Sequence, residues 1–135
     1  MYGFTTTLTG LSFDEAIVKT TAALKTEGFG ILSDIDVQRA MKEKLGQDMP
    51  PYRILGACNP PLAHQALRAE RDIGLLLPCN VIVYAGDTAG TSVIAALDPV
   101  AVMELTERED IRAVALEVRQ RLERALAAIE RDATA

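Results

Sequence analysis

The dipeptide Cys-Asn occurs twice in this chain, as Cys58-Asn59 and as Cys79-Asn80. Cys58 comes just before a predicted helix, and the positive end of a helix dipole lowers the pKa of a nearby thiol. Cys58 is therefore a candidate nucleophile, with Cys79 as its resolving partner. Simple burial is the competing interpretation, because cysteine packs in protein cores as a small hydrophobic residue.

The two thiols and the single histidine, His64, are also residue types that bind zinc and other soft metals. The spacing gives this idea little support, because the cysteines are 79 − 58 = 21 positions apart and neither belongs to a Cys-x-x-Cys pair. We expect no cofactor, and zinc held by Cys58, His64 and Cys79 is an alternative.

Three other polar residue types are candidates for binding a ligand. Arg53 lies in an apolar stretch, so it must pair with a carboxylate, which is the simpler expectation, or line a pocket for an anion. The other two types are asparagine, at Asn59 and Asn80, and aspartate, at Asp98. They also have ordinary roles as helix caps and as hydrogen-bonding groups at strand ends. The full set of candidate ligand-binding residues is Arg53, Cys58, Asn59, His64, Cys79, Asn80 and Asp98.

The elements that must position these residues are predicted from hydrophobic periodicity and capping signals. The stretch 74–84 is apolar on both faces, so we expect it at the centre of a sheet, and turn residues at 86–90 predict an antiparallel hairpin with 91–97. The other predictions are strands over 4–8, 29–35 and 52–58, helices after the caps Ser12, Asp36 and Asn59, and a long helix over 107–131. The apolar seam expected to be buried on the long helix consists of Ile111, Val114, Val118, Leu122, Ala125 and Ile129. This order predicts one α+β domain over 1–135, with two layers and a mostly antiparallel sheet.

Composition and missing motifs exclude several classes of function. The chain has 14 Lys+Arg, 19 Asp+Glu and 4% aromatic residues, which argues against binding of nucleic acid. The longest uncharged apolar stretch is too short to span a bilayer, and the start lacks the pattern of a secretory signal, so a cytoplasmic location with reduced thiols is expected. A single histidine and the lack of a phosphate-binding loop make hydrolases, zinc proteases and nucleotide enzymes poor fits.

The segment 52–61, together with 28–33 upstream and 74–81 downstream, closely resembles a small prokaryotic family known only as domain of unknown function 302. The resemblance covers about 4–103, including the Asp98-Pro99 step, and the helix after Glu107 is similar to that family's C-terminal element. It implies a fold like that of the TATA-binding-protein class, a curved antiparallel sheet with helices on one face and a long C-terminal helix.

The resemblance also implies that members form small homodimers and that their signature is Cys58, Asn59, Pro60, Cys79 and Asn80. That family has no established activity, so it implies no catalytic residue. DNA binding does not follow from the fold name, because function belongs to sites and this chain is acidic.

We therefore predict a protein of unknown activity that binds a small ligand or a partner without catalysis. It is expected to be a cytoplasmic homodimer, with a pocket near Cys58 and Cys79 and extra subunit contact from the C-terminal helix, and without nucleic-acid or membrane partners. The alternatives are a thiol-based redox or sulfur-handling protein that uses Cys58 and Cys79, and a Cys/His metal-binding protein.

Overall fold

The structure, a computed structural model, describes residues 2–134, with side-chain surroundings through Arg131. Its five strands are β1 (Gly3–Thr9), β2 (Gly30–Asp36), β3 (Tyr52–Cys58), β4 (Cys79–Ala85) and β5 (Thr91–Leu97). They form one antiparallel sheet in the order β1-β5-β4-β3-β2, so β4 lies at its centre as expected. The predicted α+β class and the hairpin of β4 with β5 are confirmed.

The first three helices begin at the predicted caps Ser12, Asp36 and Asn59, and the long C-terminal helix is present as expected. The helices are α1 (Phe13–Thr26), α2 (Val37–Leu45), α3 (Pro60–Ala69), α4 (Pro99–Met103) and α5 (Glu109–Thr134). The Ser12 hydroxyl accepts a hydrogen bond from the Glu15 amide at 3.1 Å and so caps α1. Gly46 ends α2 with a φ of 67°, a left-handed conformation that glycine adopts at little cost.

The segment between α3 and β4 differs from the prediction. Residues Arg71–Leu76 form a 3-10 helix, and β4 begins only at Cys79 instead of at residue 74. Pro78 has no amide proton to donate to a neighbouring strand, so the ladder starts after it. The apolar run before Pro78 suits a buried helical turn as well as a strand. Within this turn, the side chain of Ile73 is buried in the core. A second addition is α4, which Asp98 caps.

The buried core lies between one face of the sheet and the helices α1, α3 and α5. In β4, Val81 and Val83 are fully buried on this face, while Ile82 between them lies on the other side. On α5, the predicted apolar seam is confirmed, because every member is buried: Ile111, Val114, Val118, Leu122, Ala125 and Ile129. The long helix therefore buries one apolar face, and it packs against α1, α3, α4 and the edge strand β1.

The other side of the sheet, called the outer face below, is set by the strand register. It carries Thr5, Thr7, Thr9, Ser33, Ile35, Tyr52, Ile54, Gly56, Asn80, Ile82, Tyr84, Thr91, Val93, Ala95 and Leu97. None of these residues is charged. The Tyr52 and Tyr84 rings stack across the strands with centroids 5.5 Å apart. The two sides of this sheet thus differ: one is covered by helices and one is an uncharged surface.

Candidate functional site

The two cysteines lie at the same end of the sheet. Cys58 is the last residue of β3 and Cys79 is the first residue of the antiparallel neighbour β4, where it pairs with Ala57. Both are free thiols. The topology therefore brings together two residues that are far apart in sequence, and it does so without a disulfide bond.

A cavity of about 260 Å³ opens beside them, between this end of the sheet, α3, α4 and α5. Its lining is apolar apart from the two thiols and one amide side chain. It consists of Phe29, Leu32, Ala57, Cys58, Asn59, Leu62, Ala63, Ala66, Leu67, Gly74, Leu77, Pro78, Cys79, Pro99, Met103, Ile111, Val114, Ala115 and Val118. The pocket expected near Cys58 and Cys79 is therefore present, on the helix side of the sheet.

The mouth of the cavity is where its lining residues are also exposed to solvent. Leu32 is 70% exposed and Leu67 is 39% exposed. The pairing of β2 with β3 shifts between Ile31 and Ser33, which leaves Leu32 outside the ladder. A bulge of this kind turns a side chain away from the regular alternation, so an apolar residue stands at the rim.

Asn59 connects the start of α3 to the neighbouring turn. Its side-chain oxygen accepts a hydrogen bond from the Leu62 amide at 3.3 Å, and the residue is only 5% exposed, so the expected capping role is confirmed. Gly28 packs directly against it, because a Cβ at position 28 would stand 2.8 Å from Asn59 Nδ2. Gly28 also has a φ of +87°, so glycine is required there for both space and conformation.

Burial sets the protonation of the two thiols. It raises the pKa of the Cys58 thiol, and it raises that of the Cys79 thiol to about 11, with a further contribution from the nearby Cys58. The lowered pKa that the helix start suggested for Cys58 is therefore wrong in direction. Both thiols are protonated at neutral pH, which does not favour nucleophilic chemistry.

The third proposed zinc ligand does not join them. His64 is an exposed residue of α3 and is not part of the cavity lining. In the part of the chain that the structure describes, no three His, Cys, Asp or Glu side chains are grouped in a way that would hold a metal ion. The combination of Cys58, His64 and Cys79 is thus not assembled.

The remaining candidates do not line the cavity. Arg53 is near the opposite end of β3 and pairs with Asp34, its Nε donating to Oδ1 at 2.7 Å, so the expected ion pair is confirmed. This pairing lowers the pKa of the Asp34 carboxyl. Asn80 is exposed on the outer face. Asp98 accepts a hydrogen bond from the Val100 amide at 3.0 Å as the cap of α4.

Much of the cavity lining was not predicted as a site. Ile111, Val114 and Val118 were expected in the core of the long helix, and they do line the cavity from α5. Helical spacing signals that a face is buried, but it does not tell which neighbour covers it. No local signal pointed to Leu32, because the bulge that places it depends on the pairing of two strands.

Together these features define a class of protein: an α+β domain whose antiparallel sheet and long C-terminal helix enclose a small apolar cavity. Of the described helices, none has both the length and the apolar character needed to cross a membrane. The profile of a family described as "Domain of unknown function DUF302" matches residues 4–129. The chain belongs to this family, as its two Cys-Asn segments implied.

One solved relative has the same architecture. The crystal structure of an uncharacterized conserved DUF302 protein from Bacillus stearothermophilus is similar, with 30% identity and a TM-score of 0.84 over 94% of this chain and 97% of that chain. A comparison with curated proteins finds no match. The family has no named function, so the chemistry of the cavity is the guide to what the protein does.

Proposed function

We propose that this chain is a non-enzymatic binding protein and that its cavity takes a small apolar molecule. The observation that supports this most directly is the cavity of about 260 Å³ with an almost wholly apolar lining. Moving apolar surface from water into such a lining is favourable, whereas an ionised ligand would lose its hydration without gaining a charged partner. The ligand class is therefore uncharged and hydrocarbon-rich.

The volume limits the size of the ligand. An engineered apolar cavity of about 150 Å³ binds benzene, and pockets for drug-sized ligands begin at about 300 Å³. At about 260 Å³ this cavity lies between the two. In proportion to benzene, it suits a molecule of roughly ten non-hydrogen atoms.

The polar groups at the cavity support binding without catalysis. The raised pKa values keep Cys58 and Cys79 as neutral thiols, which act as polarisable apolar contacts. The Asn59 side-chain oxygen is used to cap α3. Within the proposal, Cys58, Asn59 and Cys79 are the ligand contacts retained from the sequence.

We also propose that the protein is a cytoplasmic homodimer. Two free cysteines suit a reducing compartment. The net charge of −5 and the outer face without Lys or Arg argue against a nucleic-acid partner. The same lack of charge on the outer face lets two copies of this acidic chain approach without like-charge repulsion there.

Toluene and benzoate, which share a ring and differ in charge, test the ligand class. Toluene is expected to raise the Tm and to shift the amide resonances of Ala66 and Val118, because binding to the native state alone stabilises it. Benzoate is expected to do neither. Toluene without effect, or an equal response to benzoate, would contradict an apolar binding site.

Two alanine substitutions locate the binding. Ala66 lines the cavity, so Ala66→Leu fills it and is expected to abolish the response to toluene. Ala16 is fully buried on α1 away from the cavity, so the matched control Ala16→Leu is expected to keep binding while it destabilises the fold by about 1–3 kcal/mol through overpacking. Retained binding in Ala66→Leu would place the ligand elsewhere.

A further inference from the structure

We propose that two copies of the chain associate through the outer face, with their sheets packed face to face. This inference rests on the homodimer proposed above and names the surface that forms it. In the resulting four-layer assembly the two sheets would form the inner layers and the helices the two external layers. Sheets that pack in this way keep their strands within about 30° of each other and stand about 10 Å apart.

The composition of the outer face is unusual for a surface in water. Charged residues make up 24% of the chain, yet the strand register places none on this face. At its centre, Ile35, Ile54, Ile82 and Ala95 form one cross-strand row. The polar side chains of this face are all uncharged, Thr, Ser and Asn among them, and they lie mainly toward its edges. The cores of protein interfaces are likewise depleted in charge.

A second copy is the partner that this chemistry favours. Nucleic acid binds to surfaces that carry Lys and Arg, and the outer face has none. A charged protein partner would need opposite charges on this face, which are also missing. Each copy carries a net charge of −5, so association is easiest where no carboxylate meets another. In a two-fold symmetric dimer both copies use the same surface. Because the outer face carries no carboxylate, two outer faces can meet without repulsion.

The area is close to what a stable dimer needs. With five strands of seven residues each, the face measures roughly 24 Å by 24 Å at the usual strand spacing and rise. The flat area is therefore somewhat below about 600 Å², and protruding side chains add accessible surface to it. Standard interfaces bury about 800 Å² per partner. A sheet-to-sheet contact therefore falls within reach of the standard size.

The relief of the face includes one depression and one projection. A depression of about 260 Å³ lies near the start of β1, lined in part by Thr5, Asn80, Ile82 and Ala95. The Tyr2 side chain stands at this depression and is 91% exposed. Projecting aromatic side chains that enter a partner's depression are typical anchors of protein interfaces.

A matched pair of lysine substitutions tests the surface. Ile82 is the middle residue of the central strand, and Leu116 is an exposed apolar residue of α5. Sedimentation equilibrium of the wild type is expected to give twice the chain mass of 14.6 kDa. Ile82→Lys is expected to raise the dissociation constant by on the order of a hundredfold or more, because it buries an unpaired charge, whereas Leu116→Lys stays dimeric.

The outcomes separate this surface from the homodimer itself. A monomeric wild type at micromolar concentration overturns both. A dimer that survives Ile82→Lys overturns the outer face alone, and dissociation by Leu116→Lys instead assigns the contact to α5. Toluene binding is measured on the same samples, so that the cavity is judged independently of the association.

A second variant guards against misfolding. Ala95→Lys introduces the same charge next to Ile82 on β5, at a partly exposed position that is not part of the buried core. Both variants are checked by far-UV circular dichroism. A folded Ala95→Lys protein that remains dimeric contradicts the proposal even if Ile82→Lys fails to fold, and a folded monomer supports it.

Discussion

The two Cys-Asn pairs have the same sequence but different roles in the structure. Asn59 is buried and caps α3, whereas Asn80 is exposed on the outer face. The first pair leaves β3 for a helix, and the second enters β4, where successive side chains point to opposite faces. A repeated dipeptide therefore does not mark equivalent positions, because the element that follows decides where each side chain lies.

The cysteines of the two pairs differ less than the asparagines. Because β3 and β4 are antiparallel, Cys58 and Cys79 reach the same cavity from neighbouring strands. Cys79 is buried at 7% exposure and Cys58 is half-buried. Their shared environment favours a neutral thiol at both positions, with the stronger effect at Cys79.

The largest expected effect is the dependence of stability on alkaline pH through Cys79. The unfolded thiol loses its proton near pH 9.0 and the native thiol has a pKa of about 11, so between these values the unfolded state binds fewer protons and stability falls as the pH rises. The free energy of unfolding is expected to drop by about 2–3 kcal/mol in this window on account of Cys79. Urea unfolding at several pH values measures it.

The control for this prediction is Cys79→Ala, which removes the titrating group. Tyrosines and lysines also titrate at alkaline pH, so the quantity of interest is the difference between the wild type and this variant. An identical pH profile in both proteins would show that burial does not hold the Cys79 proton.

The asparagines are expected to differ by an intermediate amount. Asn59→Ala removes the cap of α3 and a buried polar side chain, and it is expected to cost about 1–2 kcal/mol. Asn80→Ala changes an exposed side chain and is expected to stay within about 0.5 kcal/mol. Urea unfolding of both variants at one protein concentration measures the contrast. Equal losses would show that the two pairs are structurally equivalent after all.

The smallest expected effect is the alkylation rate of Cys58. Its raised pKa predicts slower reaction with iodoacetamide at neutral pH than that of a free cysteine, with Cys79 slower still. Mass spectrometry of Cys58→Ser and Cys79→Ser proteins assigns each rate to one thiol. A Cys58 that reacts faster than free cysteine would revive the thiol-based alternative.

The sequence predicted much of the fold because its signals were local. Ser12, Asp36 and Asn59 each cap a helix where expected, and the apolar seam of α5 is buried throughout. Capping and periodicity depend on residues within a few positions of each other, so they are visible in the chain itself. The apolar run before Pro78 fits either element, so its pattern predicts a strand where the structure has a 3-10 helix.

The candidate site was predicted only in part. Cys58, Asn59 and Cys79 do line one cavity, whereas Arg53, Asn80 and Asp98 lie elsewhere and His64 is exposed away from the lining. Residue type identified groups with useful chemistry, but proximity between distant segments depends on strand order and register. Those properties emerge only when the sheet forms.

The sequence by itself thus determined the five strands, the helices other than α4 and the 3-10 turn, three helix caps, the buried face of the long helix and the family. The tertiary structure alone decided that β3, β4, α3, α4 and α5 enclose a cavity, that Leu32 stands at its mouth, and that one side of the sheet is without charge. It also decided the direction of the thiol pKa shifts. The physical reason is that cavities, burial and desolvation arise from packing between segments distant in the chain, which spacing along the chain does not encode.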